Sequence, residues 1–324
     1  MKRLYPDIGC YYSNYLHTAD GSALYFEQSG NPQGIPVLYI HGGPGAGLAP
    51  HYKRFFDTNR YRVIAFEQRG CGRSKPFGSL INNTTDHTLA DINALREHLN
   101  IDQWVLFGGS WGATLALLSA IQQPHTVLAL ILRGTFLGRQ EDREWFLGPQ
   151  GGGATLFPEH YDMFIADIPE PTDCDAICQW YEQAFNQTDT NERLLALKRW
   201  YVWEERLSRL SLPPGTGDIT THYPLNLVTS LARLECHYLL NHCFIAENYI
   251  LDNIDQIADI PGIIVHGRYD VICPTRSAWQ LHKAWKSSEL DIVPDAGHST
   301  SEPGVALRLC RATREMSRFI KGSS

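Results

Sequence analysis

Residues 108–112, Gly108-Gly109-Ser110-Trp111-Gly112, hold a lone serine in the pattern G-x-S-x-G. Trp104 to Phe107 before it form a short apolar run. Ala113 to Ala120 after it read as a helix of small and apolar residues. A strand that turns sharply into a helix leaves little room for side chains at the turn. Glycine on both sides removes the clashes and tolerates unusual backbone angles. The serine then stands exposed at the strand's C-terminal end with a helix N-terminus beneath it, the geometry of a nucleophile elbow.

A serine hydroxyl is a weak nucleophile until a base takes its proton and an acid orients that base. The elbow arrangement predicts the chain order Ser, then Asp or Glu, then His. Among 13 histidines, His298 in Asp295-Ala296-Gly297-His298-Ser299 is the one that follows a late strand. Asp270 closes the preceding strand–loop unit, HGRYD. The interval of 160 residues from Ser110 to Asp270 leaves room for an inserted cap, and the 28 from Asp270 to His298 hold one helix and one strand. The oxyanion of acyl transfer needs donors already aimed at it. The expected pair is the N–H of Trp111, directly after the nucleophile, and that of Gly43 in His41-Gly42-Gly43-Pro44-Gly45. Gly43 has no side chain to keep a carbonyl oxygen away. The stretch from Gly43 to Gly47 is superficially like a dinucleotide loop. Pro44, and the lack of an acidic residue on a following strand, argue against that.

These residues must be positioned by a sheet. Val37–Ile40, Arg62–Phe66, Trp104–Phe107, Ala129–Leu132, Ile263–Val265 and Leu290–Val293 each run into a polar or glycine-rich loop. Apolar strands alternating with helical stretches predict a mostly parallel sheet covered on both faces, with function at the strands' C-terminal ends. From Gly138 to Asp259 strand-like runs are scarce, while Trp, Tyr and charged residues accumulate, with a helical run over Asn191–Leu210. We expect one α/β unit in two parts, residues 1–137 and 260–324, interrupted by a helical cap at 138–259. Gln150-Gly151-Gly152-Gly153 is expected to be a flexible loop, since no strand precedes it and no GK[ST] follows.

A net charge of −7 without a Lys/Arg block argues against nucleic acid and anionic membrane as partners. No secretory signal and no run of 18 apolar residues is present in the sequence. Eight scattered cysteines show no C-x-x-C and no zinc spacing, which favours reduced thiols and a cytoplasmic setting.

HGGPG, the FEQRGCGRS stretch, GGSWG, HGRYD and GHS-x-x-EPG, in this order, closely resemble the prolyl aminopeptidases (proline iminopeptidases) of the α/β-hydrolase superfamily. The resemblance runs over nearly the whole chain. It includes Trp200-Tyr201-Val202-Trp203-Glu204, similar to the family's W-x-x-W-E, and Leu234-Glu235-Cys236-His237-Tyr238, similar to its IENHY. It implies an α/β-hydrolase fold with a helical cap and a serine exopeptidase that releases N-terminal proline from small peptides through an acyl-enzyme. Ser110 would be the nucleophile, His298 the base and Asp270 its orienting acid, with no metal or organic cofactor. Glu204 and Glu235 would recognise the substrate's amine, and Phe136 and Cys273 match positions of the proline pocket. Departures from the pattern are Glu67 for Asp, expected to be structural, Glu205 for glycine, and Leu239 for an aromatic lining residue. The alternative is a broader esterase or amidase using the same triad. Such an enzyme has no need of paired carboxylates.

Overall fold

The computed structural model describes residues 4–322. Positions 1–3 and 323–324, the outer ends of the two expected core segments, lie outside the described residues. Eight strands form one sheet in the order β1-β2-β4-β3-β5-β6-β7-β8. They are β1 Tyr12–His17, β2 Ala23–Gly30, β3 Ile35–Ile40, β4 Tyr61–Phe66, β5 Trp104–Gly109, β6 Val127–Arg133, β7 Gly262–Gly267 and β8 Ser288–Val293. β1 pairs with β2, and β2 with β4, in antiparallel fashion. All pairings from β4 to β8 are parallel.

Every strand expected from the sequence falls inside an observed one. The β1–β2 hairpin was not expected. β1 is polar and exposed, and β2 carries Glu27, a charge that the fold buries. Glu27 is tolerated there because it accepts hydrogen bonds from Tyr25 and Tyr52 and pairs with Lys53 at 2.8 Å.

The period-2 alternation of strand side chains sorts the core into two layers. Leu38, Ile40, Ile64, Phe66, Leu106, Leu130 and Leu132 point to one face. Val37, Val63, Ala65, Val105, Phe107, Ala129 and Ile131 point to the other. The first face packs against α1 (Thr85–His98) and α2 (Trp111–Gln122). α2 is apolar nearly all round and correspondingly buried. The second face is covered by α11 (Pro303–Gly322).

Between β6 and β7 the chain makes no strand. It forms α3 (Gln140–Leu147), α4 (Gly152–Leu156), α5 (Pro158–Phe164), α6 (Cys174–Phe185), α7 (Thr190–Leu207), α8 (Leu225–Leu240) and α9 (Tyr249–Asp252). α10 (Thr275–Ala284) lies between β7 and β8. α7 begins at an N-cap, Asp189, whose carboxylate accepts from the N–H groups of Asn191 and Glu192. Aromatic rings hold these helices together. Phe164 stacks on Tyr181 at 4.9 Å and on Trp203 at 5.1 Å, and Trp200 meets Tyr181 edge-on at 5.1 Å. Each such pair contributes about 0.5–1.5 kcal/mol beyond its buried area.

The Gln150–Gly153 stretch is not a free loop. It leads into α4, and a Cβ on Gly153 would lie 2.7 Å from the Trp203 ring. Those glycines permit close packing; they do not supply flexibility. All eight cysteines are free thiols. Among the described residues, no helix is long and apolar enough to cross a membrane.

Candidate active site

Ser110 sits between β5 and α2 with φ 58° and ψ −124°, a left-handed backbone rare for a residue with a side chain. The neighbouring glycines make this turn feasible. A Cβ on Gly108 would lie 2.1 Å from the carbonyl oxygen of Gly112, and one on Gly112 would lie 2.1 Å from that of Ile40. The turn is locked by the Ser110 N–H donating to the Arg133 carbonyl at 2.8 Å on β6.

Asp270 and His298 come together from the loops after β7 and β8. His298 Nδ1 donates to Asp270 Oδ2 at 2.7 Å. The other carboxylate oxygen accepts from the N–H groups of Ile272 and Cys273, at 3.1 and 2.8 Å. Burial pushes the Asp270 carboxyl up, but His298, His266 and the amide donors outweigh it and hold the group below the usual range. Gly134 makes room for this pair, since a Cβ there would lie 2.8 Å from the His298 ring.

One contact was not anticipated. Arg133, the last residue of β6, places Nη1 2.8 Å from His298 Nε2 and 3.1 Å from the His298 carbonyl oxygen. A guanidinium can only donate, so Nε2 accepts and the imidazole proton rests on Nδ1. That is the tautomer a general base needs. Nε2 has Arg133 as its hydrogen-bond partner, in place of Ser110 Oγ. Burial, and then the Arg133 charge, lower the His298 pKa against the opposing pull of Asp270. The available sequence signal was an arginine closing an apolar strand, just where such sheets gather function.

The Gly42–Gly43 turn lies against the elbow. A Cβ on Gly42 would meet the Ser110 Cβ at 3.3 Å. Gly43 adopts φ +103°. Trp111 opens α2, whose first N–H groups have no partner within the helix. Helix α8 is fastened to the same loop, with Ser230 Oγ donating to the Gly45 carbonyl at 2.8 Å. Further along α8, Tyr238 packs on Trp111 at 5.0 Å and donates to Asn83 Oδ1. These contacts fix Glu235 on the buried face of α8, where Oε2 accepts from Trp200 Nε1 at 2.6 Å.

Burial, and then the neighbouring Glu204, drive the Glu235 carboxyl well above its ordinary pKa. Glu204 on α7 is raised to about 7, by burial and then by Glu205. Among the described residues neither carboxyl has a salt-bridge partner, although the Arg133 charge opposes the rise at Glu204. Glu67 has a different task. It accepts from the Arg73 N–H at 2.5 Å and from the Arg73 guanidinium at 3.1 Å, which makes it a loop fastener.

Gly43, Ser110, Arg133, Glu204, Glu205 and His298 share the wall of one cavity of about 360 Å³. Glu235, Trp111, Phe136 and Cys273 do not line it; all four are buried. Phe136 belongs to the core layer beside α2, and its carbonyl accepts from Thr114 Oγ1 at 2.7 Å. Leu239, likewise buried, is packed within the same layer. Cys273 Sγ lies with the Asp270 and His298 donor atoms inside 4.8 Å of one another. This trio does not fit a metal. The carboxylate oxygens are already committed, and burial holds the Cys273 thiol strongly protonated.

The family model that matches, the alpha/beta hydrolase fold, spans residues 35–305. A probable proline iminopeptidase of Leptolyngbya boryana is 44% identical over 99% of this chain and 98% of its own. The proline iminopeptidase of Xanthomonas citri is 44% identical over 97% and 99%, respectively. That of Arabidopsis thaliana is 42% identical over 98% of this chain and 83% of its own. Among solved structures, an esterase from Exiguobacterium antarcticum covers 96% of this chain and all of its own, with a TM-score of 0.63 at 20% identity. A proline iminopeptidase from Mycobacterium smegmatis covers 95% of this chain and all of its own, with a TM-score of 0.58 at 16% identity. At these identities the solved structures speak to the fold alone.

Proposed function

The chain belongs to the proline iminopeptidase family of α/β hydrolases, and from that premise we propose that it removes N-terminal proline from small peptides through an acyl-enzyme on Ser110. The observation that carries this reading is a pair of neighbouring carboxyls, both raised by desolvation: Glu235, buried, and Glu204, half-buried in the wall of the Ser110 cavity. A hydrolase of neutral esters gains nothing from two desolvated acids. An enzyme that must sense a charged amine beside the scissile bond does.

The Asp270–His298 hydrogen bond and the shared cavity support the following steps. The prolyl amine meets Glu204 at the cavity wall, with the buried carboxyl of Glu235 behind it, and the prolyl carbonyl carbon faces Ser110. Ser110 attacks as its proton passes to His298 Nε2, which Arg133 must release. Asp270 keeps the other ring nitrogen protonated and stabilises the imidazolium that forms. The N–H groups of Gly43 and Trp111 receive the oxyanion, a kind of contact worth roughly a hundred- to a thousandfold in turnover. His298 then protonates the departing peptide amine. Water, deprotonated by His298, hydrolyses the prolyl ester and frees proline. No step requires a metal or an organic cofactor.

In this account residues 138–259 act as a cap that closes the site beyond a single residue, and Phe136 and Cys273 back the wall that holds the pyrrolidine ring. Eight free thiols support a reducing, cytoplasmic setting. The net charge of −7 favours peptides over nucleic acid or anionic membrane as partners. The test is one assay with three substrates. Proline p-nitroanilide should be turned over efficiently and N-acetyl-proline p-nitroanilide hardly at all, with p-nitrophenyl acetate slow but measurable. Comparable rates on the free and acetylated anilides would favour a broad amidase.

A further inference from the structure

We propose that β1 is the pairing surface of a symmetric homodimer, in which two copies of the strand join antiparallel across a two-fold axis. β1 ends the sheet order, so among the described residues its outer backbone edge meets no other strand. Such an edge is a template for another strand unless charge, proline or a covering element blunts it. The opposite edge is blunted. β8 carries Glu289 and Asp291, with Arg308 at 3.2 Å from Asp291. β1 lacks charge and proline, and only its Tyr15 N–H is taken up locally, by Asn14 Oδ1 at 2.8 Å. From Ile8 to Ala19 there is no Asp, Glu, Lys, Arg or Pro. Tyr11, Tyr12 and Tyr15 are 46, 41 and 38% exposed and lie together on this one edge.

The occupant that fits is a second copy of this chain. An antiparallel strand is its own complement under a two-fold rotation, so one set of donors and acceptors serves both partners. The chain is acidic overall, but this uncharged stretch lets two copies approach without like charges facing each other. The three tyrosines expose on the order of 250 Å² per copy. That is well below the roughly 800 Å² per partner of a standard interface. The dimer is therefore reversible and concentration-dependent. It leaves catalysis alone, because β1 lies four strands from the Ser110-bearing β5, roughly 19 Å across the sheet.

Sedimentation velocity on the full chain over a wide micromolar range reads the association. The weight-average mass should climb from monomer toward dimer. Asn14→Lys and Tyr15→Lys, which place like charges opposite each other near the axis, should weaken association at least tenfold while turnover of proline p-nitroanilide stays unchanged. Cys10, the one exposed thiol, gives a reading on the unsubstituted chain. Spin labels there should report one interspin distance near 30 Å, from about nine residues of strand at about 3.3 Å each. A chain that stays monomeric throughout would overturn the proposal. So would a dimer indifferent to both substitutions, or one with labels more than about 50 Å apart.

Discussion

Arg133 Nη1 sits 2.8 Å from His298 Nε2, on the lone pair that takes the Ser110 proton in the proposed mechanism. The resting base is therefore held in the correct tautomer and disfavoured from charging. Arg133→Met removes a cation beside the imidazole, so the His298 pKa should rise. His298 must be neutral to act, so the acidic limb of the kcat/KM profile should move to higher pH, by about half to one unit. The neutral substrate p-nitrophenyl acetate isolates this effect from amine recognition. A limb that stays in place, or moves to lower pH, would remove Arg133 from the account.

Glu204 links recognition to stability. Its carboxyl is raised from 4.5 to about 7 in the folded chain, by burial and then by Glu205. The folded state therefore keeps a proton that the unfolded state gives up between those two values. Stability should fall as pH rises from about 4.5 to 7 and stay lowered above that. Glu204→Gln abolishes this linkage. The variant should be more stable than the parent at pH 8, by up to about 3 kcal/mol, and equal to it at pH 4. Denaturant unfolding at the two pH values measures the difference. An equal gain at both would show that the carboxyl is not strained in the fold.

Thiol chemistry separates an exposed cysteine from a buried one near the site. Cys10 is exposed, while Cys273 is buried with its thiol well above the ordinary pKa. Iodoacetamide should alkylate Cys10 first with no loss of turnover. A slower loss should follow only modification near Ser110, and Cys273→Ala should remain active. Peptide mass analysis against residual activity over time checks the order. Inactivation that tracks Cys10 would contradict it.

The central strands that carry the site were legible because they are buried on both faces and read as continuous apolar runs; β8, a half-exposed edge strand, was legible from Leu290, Ile292 and Val293 alone. Ser110, Asp270 and His298 were legible because each follows such a strand at its C-terminal end. Glu204 and Glu235 could be named only through the W-x-x-W-E and IENHY resemblances, since a glutamate beside Glu205 and Arg206 reads on its own as a solvated helix face. The β1–β2 hairpin was hidden because β1 buries almost nothing and β2 hides a charge, which removes the alternation that marks a strand. Arg133 was hidden for another reason. Its partner lies 165 residues away in the chain, and no local pattern announces a contact of that kind. The glycines at 151–153 misled because their use, packing against the tryptophans of α3 and α7, becomes visible only in three dimensions.

In the proposed mechanism Glu235, buried, and Glu204, half-buried at the cavity wall, together read the substrate's amine. Removing one carboxylate leaves a desolvated cation underpaired, which costs roughly 2–5 kcal/mol. Glu204→Gln and Glu235→Gln should each lower kcat/KM for proline p-nitroanilide by about a hundredfold or more. Hydrolysis of p-nitrophenyl acetate by the same proteins should stay within a few-fold of the parent, because the triad is untouched. A selective loss of that kind is the predicted result. Equal losses on both substrates would make the glutamates structural, and no loss on either would place amine recognition elsewhere, with Glu205 in the same cavity the next residue to test.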